Sequence, residues 1–146
     1  MTTGQAAVSD DIDATPPQVR LGALLEGGLA PAIMAIVERG AQKRPALARS
    51  LRAEIELKTE ESYPPVRIVF GERAVVVEDG AAVAPDLRVS GSLPDLVHLM
   101  VIPLLAGIPS PINTRGRAAL GMVAGGRVRI EGRLGLMRRF LTLIRA

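Results

Sequence analysis

Side chains that could perform catalysis are sparse in this sequence. His98 is the only histidine and cysteine is absent, so a histidine-based triad would have to use His98 and no thiolate site or disulfide can form. No serine lies in a Gly-x-Ser-x-Gly elbow, and no His, Asp and Glu residues have metal-ligand spacing. Asp95 lies one helical turn before His98, and a structural histidine is the favoured interpretation. We expect no catalytic residue, no metal and no cofactor.

Two further patterns match functional motifs only in part. The glycines at 121, 125 and 126 lack the Lys and the Ser or Thr of a phosphate-binding loop and precede a strand, so they indicate turns. Glu54 and Glu56 share one strand face, as paired catalytic carboxylates would, but exposed alternation with cross-strand partners explains them better. The expected partners are Arg67, Arg127 and Arg129. The sequence thus favours a protein that is not an enzyme.

Basic charge is concentrated near one end of the chain. Residues 1–114 hold ten Lys and Arg against fourteen Asp and Glu, whereas residues 115–146 hold eight Arg against Glu131 alone. One interpretation is a face that approaches an anionic membrane, where each surface cation gains about 1 kcal/mol. The alternative is a solvated helix face whose arginines favour a helix C-terminus. The side chains expected to approach a membrane are Arg138, Arg139 and Arg145.

The composition predicts an aliphatic interior. Apolar residues make up 48% of the chain but aromatic residues only 2%. Such an interior suits alkyl or isoprenoid chains and offers few platforms on which nucleobases stack, so no nucleic-acid partner is expected. The oily run 99–108 is too short to span a bilayer, and the start of the chain lacks the basic and apolar regions of a secretory signal. We expect a cytoplasmic protein with a disordered tail at 1–18 and one domain at 19–146.

Hydrophobic periodicity predicts five strands, each with one buried and one solvent-exposed face. They lie at 53–58, 66–70 and 74–78, then after Pro85 through Leu87 and Val89, and at 127–131. Short helices are predicted at Val19–Glu26, from Pro31 to a stop at Gly40, and at 45–50.

A mainly helical crossover, 92–126, is expected before the last strand. It contains a helix from Ser92 that Pro103 kinks or ends, a loop at 107–111 and a helix at 115–123. A strongly amphipathic helix, 133–146, follows. The predicted fold class is α+β: a five-stranded, mainly antiparallel sheet with helices packed on one face.

This order of elements resembles the sterol carrier protein type two family, the sterol-binding domain. The likeness covers about residues 30–146 and depends on Val66–Phe70, Ala84–Ser90 and above all Gly126–Leu136. It implies a noncatalytic carrier with an apolar cavity between sheet and helices and the last helix as a lid. It also implies ligands such as sterols, fatty acyl chains, phospholipids or isoprenoids, and some bacterial relatives assist quinone biosynthesis. The chain departs from the family in its oily segment at 101–111, which is expected to reshape the mouth of the cavity, and in its end, which is not a peroxisomal tripeptide.

The resulting hypothesis is binding and transfer of a long apolar ligand by a noncatalytic protein. The side chains expected to line the cavity are Ile33, Val37, Ile55, Leu57, Ile68, Phe70, Val89, Leu96, Met100, Leu104, Met137, Phe140, Leu141 and Ile144. Two alternatives stay open at this point. These residues could form an ordinary packed core, or the protein could be an interaction module without a cavity, in which residues 99–108 dock on a protein or membrane, as in an accessory factor of lipid or quinone biosynthesis.

Overall fold

The computed structural model of the chain describes residues 15–101, 104–105, 108–109 and 128–145. Six strands form one sheet in the order β1-β4-β3-β2-β5-β8. Their bounds are β1 Gln18–Leu21, β2 Glu54–Thr59, β3 Val66–Phe70, β4 Ala74–Asp79, β5 Leu87–Gly91 and β8 Val128–Gly132. A separate two-stranded pair consists of β6 Leu104–Leu105 and β7 Ile108–Pro109.

The helices are α1 Ala30–Lys43, α2 Pro45–Ser50, α3 Leu93–Val101 and α4 Leu134–Ile144. Helix α1 contacts β1, β3 and β4, whereas α3 contacts β5. Helix α4 packs against α1 and α2. The apolar core lies between this helical layer and one face of the sheet. Among the described residues, no helix combines the length and apolar character needed to cross a bilayer.

The α+β class is confirmed, but the expected five-stranded, mainly antiparallel sheet is wrong because the sheet has six strands and is mixed. Strands β2, β3 and β4 form the predicted antiparallel meander, and β8 pairs antiparallel with β5. Residues 80–86 then return the chain to the free edge of β2, where β5 runs parallel to it. The sixth strand, β1, pairs parallel with β4.

Two predictions about the first helices are wrong. Val19–Glu26 was expected to be helical, but residues 18–21 form β1, whose apolar residue Val19 lies opposite Val75. Pairing with a distant strand therefore overrides a local pattern that fits either period. Gly40 does not end α1, which continues to Lys43, and its lack of a side chain instead allows close approach of α4.

The crossover is only partly described. Helix α3 is described from Leu93 to Val101, and Pro103, which is predicted to kink or end it, lies outside the described residues. The predicted loop at 107–111 overlaps a strand, since Leu105 pairs with Ile108 and Leu104 with Pro109. The predicted helix at 115–123 lies outside the described residues, as does most of the predicted tail, positions 1–14.

Asp79 at the end of β4 fixes the start of α1. Residue Leu29 precedes the helix and provides no side-chain cap. The buried carboxylate of Asp79 accepts hydrogen bonds from the backbone N–H groups of Ala30 (3.0 Å) and Leu25 (2.9 Å). Gly28 passes so close that a Cβ there would clash with this carboxylate. An acidic group from the sheet thus satisfies the helix N-terminus that its own sequence leaves uncapped.

Candidate functional site

The inward face of the sheet is a continuous apolar surface. Alternation turns Ile55, Ile68 and Val77 to the same side, and the strand register places Ile68 directly between the other two. All three side chains have no solvent exposure. On the other half of the sheet, Leu57 lies opposite Val89. The predicted period of two is therefore confirmed on these strands, and its apolar half faces the helices.

Helix α4 covers part of this face with a stripe of buried side chains. The stripe consists of Leu136, Met137, Phe140, Leu141, Leu143 and Ile144. Phe140 meets Phe70 of β3 edge to face, with the ring centroids 6.3 Å apart and the ring planes at 76°. This geometry is the one that aromatic quadrupoles favour. Two of the few aromatic residues in the chain are thus used to join α4 to the sheet.

Helices α1 and α4 cross at Gly40. A Cβ added there would clash with the backbone oxygen of Leu143. The two helix backbones therefore approach more closely than any other residue at position 40 would allow. Arg139 adds a polar attachment, since its guanidinium donates hydrogen bonds to the backbone oxygen (2.8 Å) and the hydroxyl (2.6 Å) of Ser50 at the end of α2.

The structure gathers the predicted cavity residues into one apolar cluster, apart from Leu104. Those that are buried are Val37, Ile55, Leu57, Ile68, Phe70, Val89, Leu96, Met137, Phe140, Leu141 and Ile144. Ile33 and Met100 are half-buried and pack against the same cluster. Leu104 lies in β6, and its side chain is outside the described residues. That this cluster opens around a ligand stays a prediction.

Two buried polar atoms in the described part of the chain have no hydrogen-bond partner. They are the hydroxyl oxygen of Thr59 and Nε2 of His98. Thr59 is the last residue of β2, where the alternation of Ile55 and Leu57 ends, and it also borders the outer face of the sheet. Buried polar atoms are normally satisfied, so each of these is a candidate contact for a polar group that is not part of the protein chain.

The outer face of the sheet carries a row of alternating charge. In register across β4, β3, β2, β5 and β8 lie Glu78, Arg67, Glu56, Arg88 and Glu131. Arg67 pairs with Glu78 and with Glu54, and Arg88 pairs with Glu56 and, at 3.6 Å, with Glu131.

These ion pairs raise the pKa of both guanidinium groups. The hydrogen bond to Glu54 is the largest cause for Arg67, and the one to Glu56 is the largest cause for Arg88. Both arginines therefore stay charged, and the row is held together as part of the fold.

Glu56 is the residue of this row whose burial differs from the prediction. It was expected on an exposed face, but the residue is only 2% exposed and its carboxylate also accepts the backbone N–H of Ala82 at 2.8 Å. Of the arginines expected opposite Glu54 and Glu56, Arg67 is paired as predicted, Arg129 lies opposite Ser90 instead, and Arg127 is outside the described residues. No signal in the sequence marks the segment at 81–82 that covers Glu56.

Comparison with solved structures assigns the fold. A protein described as "UbiJ-SCP2 Ubiquinone synthesis protein" is similar, with a TM-score of 0.57, 20% identity, and coverage of 80% of this chain and 88% of that one. The solution structure of the sterol carrier protein domain 2 of Helicoverpa armigera is also similar. Its TM-score is 0.55 and its sequence identity 17%, with coverage of 80% of this chain and 85% of that one. The sequence itself matches no protein-family model, and the search of curated proteins gives no match. The chain has the sterol carrier protein 2 fold, as its resemblance to that family predicts.

Proposed function

We propose that this protein is a noncatalytic carrier that binds a long apolar molecule between the helical layer and the inward face of the sheet, and that it does so in the cytoplasm. The observation that carries the proposal is the single aliphatic cluster of the predicted lining residues, present on a fold shared with a sterol carrier protein domain. Each CH₂ group moved out of water contributes about 0.8 kcal/mol, so a sixteen-carbon chain gains about 12 kcal/mol before ordering costs. Apolar packing alone is sufficient for useful affinity.

The unpartnered polar atoms support a ligand with one polar end. A hydroxyl, carbonyl or carboxyl group on the ligand would satisfy Thr59 or His98, whereas a pure hydrocarbon would leave both atoms without a partner. Sterols, fatty acids and quinones all meet this requirement. We therefore include all three classes in the proposal.

A more specific candidate is an accessory role in quinone synthesis. It is favoured by one observation, the similarity to a protein named for ubiquinone synthesis. In such a role the chain would hold an isoprenoid-tailed intermediate out of water while other proteins act on its ring. A ligand with an isoprenoid tail, recovered from the purified protein, would distinguish this role from general lipid transfer.

Membrane approach is part of the proposal, because an apolar cargo must be collected and released somewhere. On the outer side of α4, Leu134 is 64% exposed, and Arg138 and Arg145 are exposed on the same helix face. An apolar side chain beside arginines is the composition expected of a helix that contacts an anionic bilayer surface. Arg139 has a second function in this arrangement, since it ties α4 to α2.

The direct test is to identify what the protein carries. Native mass spectrometry of the purified chain should show a complex whose extra mass is lost on denaturation, and lipid extraction should recover that mass as an amphipathic apolar molecule. Absence of any copurified lipid, together with no saturable binding of a fluorescent fatty acid or isoprenoid probe, would contradict the proposal.

A matched pair of substitutions on α4 locates the site. Leu141→Trp enlarges a buried side chain that points into the cluster, whereas Leu134→Trp makes the same change at an exposed position. We expect the first to weaken probe binding, since the indole fills space that the ligand would occupy, and the second to leave it unchanged. Circular dichroism must show that both proteins are folded. Equal affinity in the two variants would remove α4 from the site.

A further inference from the structure

The outer face of the sheet, which points away from the helices, carries a pocket of about 580 Å³. Strands β2, β5 and β8 form its floor. Pro65 and residues 81–82 form its wall, which the hydrogen bond from Ala82 to Glu56 holds against the sheet. Small-molecule sites typically have volumes of about 300–1,000 Å³, so the pocket has the size of a ligand site. The sheet lies between the pocket and the apolar interior, and Thr59 at the end of β2 lines the edge of the pocket.

At one end of the pocket floor, two carboxylates share one guanidinium. Arg88 lies between Glu56 and Glu131 in the strand register and forms ion pairs with both. Glu56 is further occupied by the backbone N–H of Ala82. Because these groups already form ion pairs and hydrogen bonds with one another, we do not expect them to bind a ligand.

The next row along the same strands has free charges. Lys58 of β2 and Arg129 of β8 lie on either side of Ser90 of β5 in the strand register. Throughout the described ranges, none of these three side chains takes part in a hydrogen bond or ion pair. Neighbouring strands are about 4.8 Å apart, so both cationic side chains can reach a group placed over the Ser90 hydroxyl.

We propose that Lys58, Ser90 and Arg129 form an oxoanion site, and that the pocket above them holds the phosphate group of a small molecule or of a lipid headgroup. A guanidinium donates two parallel hydrogen bonds to oxygens of one phosphate, an ammonium adds a compact positive charge, and a hydroxyl donates to a further oxygen. A phosphate monoester carries nearly two negative charges, which match the two cations, whereas a carboxylate carries only one. Phosphate therefore fits the row better than carboxylate does.

Glu60 places a negative charge beside the two cations, which distinguishes this site from a uniformly positive surface. It lines the same pocket just beyond the end of β2, and its side chain is exposed. Its negative charge opposes the bound anion, so its removal should strengthen binding. Substitutions at the two ends of one short segment, Lys58 and Glu60, are thus expected to change affinity in opposite directions.

The test is titration of the full-length, isotope-labelled protein with inorganic phosphate and with glycerol 3-phosphate, followed by nuclear magnetic resonance. We expect saturable shifts centred on β2, β5 and β8. Lys58→Gln with Arg129→Gln should raise the Kd by about tenfold or more, since it removes both charged donors to the phosphate. Glu60→Gln should lower the Kd. The matched control, Arg39→Gln with Lys43→Gln on α1, removes the same charge from exposed positions outside the pocket and should leave the Kd unchanged.

Comparing soluble phosphates with phospholipid vesicles shows whether the bound phosphate belongs to a small molecule or to a lipid headgroup. Binding of inorganic phosphate and the ester with the expected dependence on Lys58 and Arg129 assigns a small-molecule site. Binding that occurs only to phosphatidylcholine vesicles containing phosphatidic acid, and that is lost in the Lys58→Gln, Arg129→Gln protein, assigns a headgroup site. The proposal is overturned if neither form binds, if the shifts spread over all charged surfaces, or if the α1 control weakens binding as much as the pocket variant does.

Discussion

Asp79 shows how one side chain can determine where an element begins. Its carboxylate lies at the end of β4, yet it satisfies the first N–H of α1, 49 positions away in the sequence. The sequence predicts only a strand end and a turn at Asp79 and Gly80. The partner could not be predicted, because the bond depends on how the segment at 22–30 packs against β4 in the folded chain.

Asp79→Asn should lower the free energy of unfolding by about 1–3 kcal/mol. An amide has one acceptor oxygen where the carboxylate has two, so either the buried N–H of Ala30 or the part-buried N–H of Leu25 loses its partner. Asp86→Asn is the control, because Asp86 also accepts a backbone N–H, from Glu54, but its side chain is 45% exposed and water can substitute. Urea unfolding of both variants measures the difference. Equal losses would show that burial of Asp79 is not what matters.

In contrast to the substitution at Asp79, a substitution at Thr59 is expected to raise the free energy of unfolding. Its hydroxyl oxygen is buried without a partner, so Thr59→Val, which keeps the shape, should raise the free energy of unfolding of the unliganded protein by about 1 kcal/mol. The same change should weaken binding of a fatty acid probe if the hydroxyl contacts the polar end of the ligand. Urea unfolding and probe titration on one preparation measure both effects. A destabilised variant would mean that the hydroxyl has a partner in solution.

At the scale of elements, the sequence predicts strongly periodic segments well and tertiary pairings poorly. Strands β2 to β5 and helix α4 follow from alternation and amphipathicity, since each buries one apolar face. Strand β1 has four residues, of which Val19 alone is buried, and it is held by parallel pairing with β4. Nothing local distinguishes such a segment from a helical turn. The parallel pairing of β2 with β5 was likewise not predictable from one-sided patterns, which antiparallel and mixed sheets share.

Gly40 and Gly135 provide a matched test of helix packing. Gly40→Ala places a methyl group against the backbone oxygen of Leu143, and since a backbone atom cannot rotate away, α4 must shift. The expected cost is about 1–3 kcal/mol, which cancels or exceeds the gain of about 1 kcal/mol in helix propensity. Gly135→Ala meets nothing within 4 Å and should stabilise the protein by up to about 1 kcal/mol. Thermal unfolding of both variants shows whether each substitution raises or lowers the stability of the protein.

The outcome that contradicts this account is a Gly40→Ala protein as stable as the Gly135→Ala protein. That result would mean that α1 and α4 are farther apart in solution than the structure places them. It would also favour a mobile α4, which is the behaviour that the proposed lid requires. Protection of the α4 amides from hydrogen exchange distinguishes a uniformly loose helix from one that opens rarely.

At the scale of the whole molecule, one sheet separates an apolar side from a charged side. The sequence predicted the residues on the apolar side, because alternation and the helical stripe determine which side chains face inward. It did not predict the outer pocket, because that pocket depends on strand order. Lys58, Ser90 and Arg129 are distant in sequence and become neighbours only when β5 lies between β2 and β8.

Membrane association is expected to depend on the outer face of α4. Arg138→Glu with Arg145→Glu reverses two exposed charges while the buried stripe of α4 stays intact, and Arg139 is left unchanged because it binds Ser50. Since each cation near an anionic surface contributes about 1 kcal/mol, binding to anionic liposomes should fall by about tenfold or more at low salt. The difference should shrink as salt rises, because exposed charges are screened over about 10 Å at 0.1 M ionic strength.

Liposome co-sedimentation at low and high salt measures this effect, with binding of a soluble fatty acid probe as the check that the interior is unchanged. The charge-matched control is Arg39→Glu with Lys43→Glu on the exposed side of α1. If both double variants lose binding equally, overall charge drives association, and no particular face is involved. If neither loses binding, the arginines of α4 belong to a solvated helix face, and delivery of the cargo requires a different surface. A loss confined to the α4 variant would mean that the helix proposed to cover the ligand is also the surface that meets the membrane, so that docking and release act on one element.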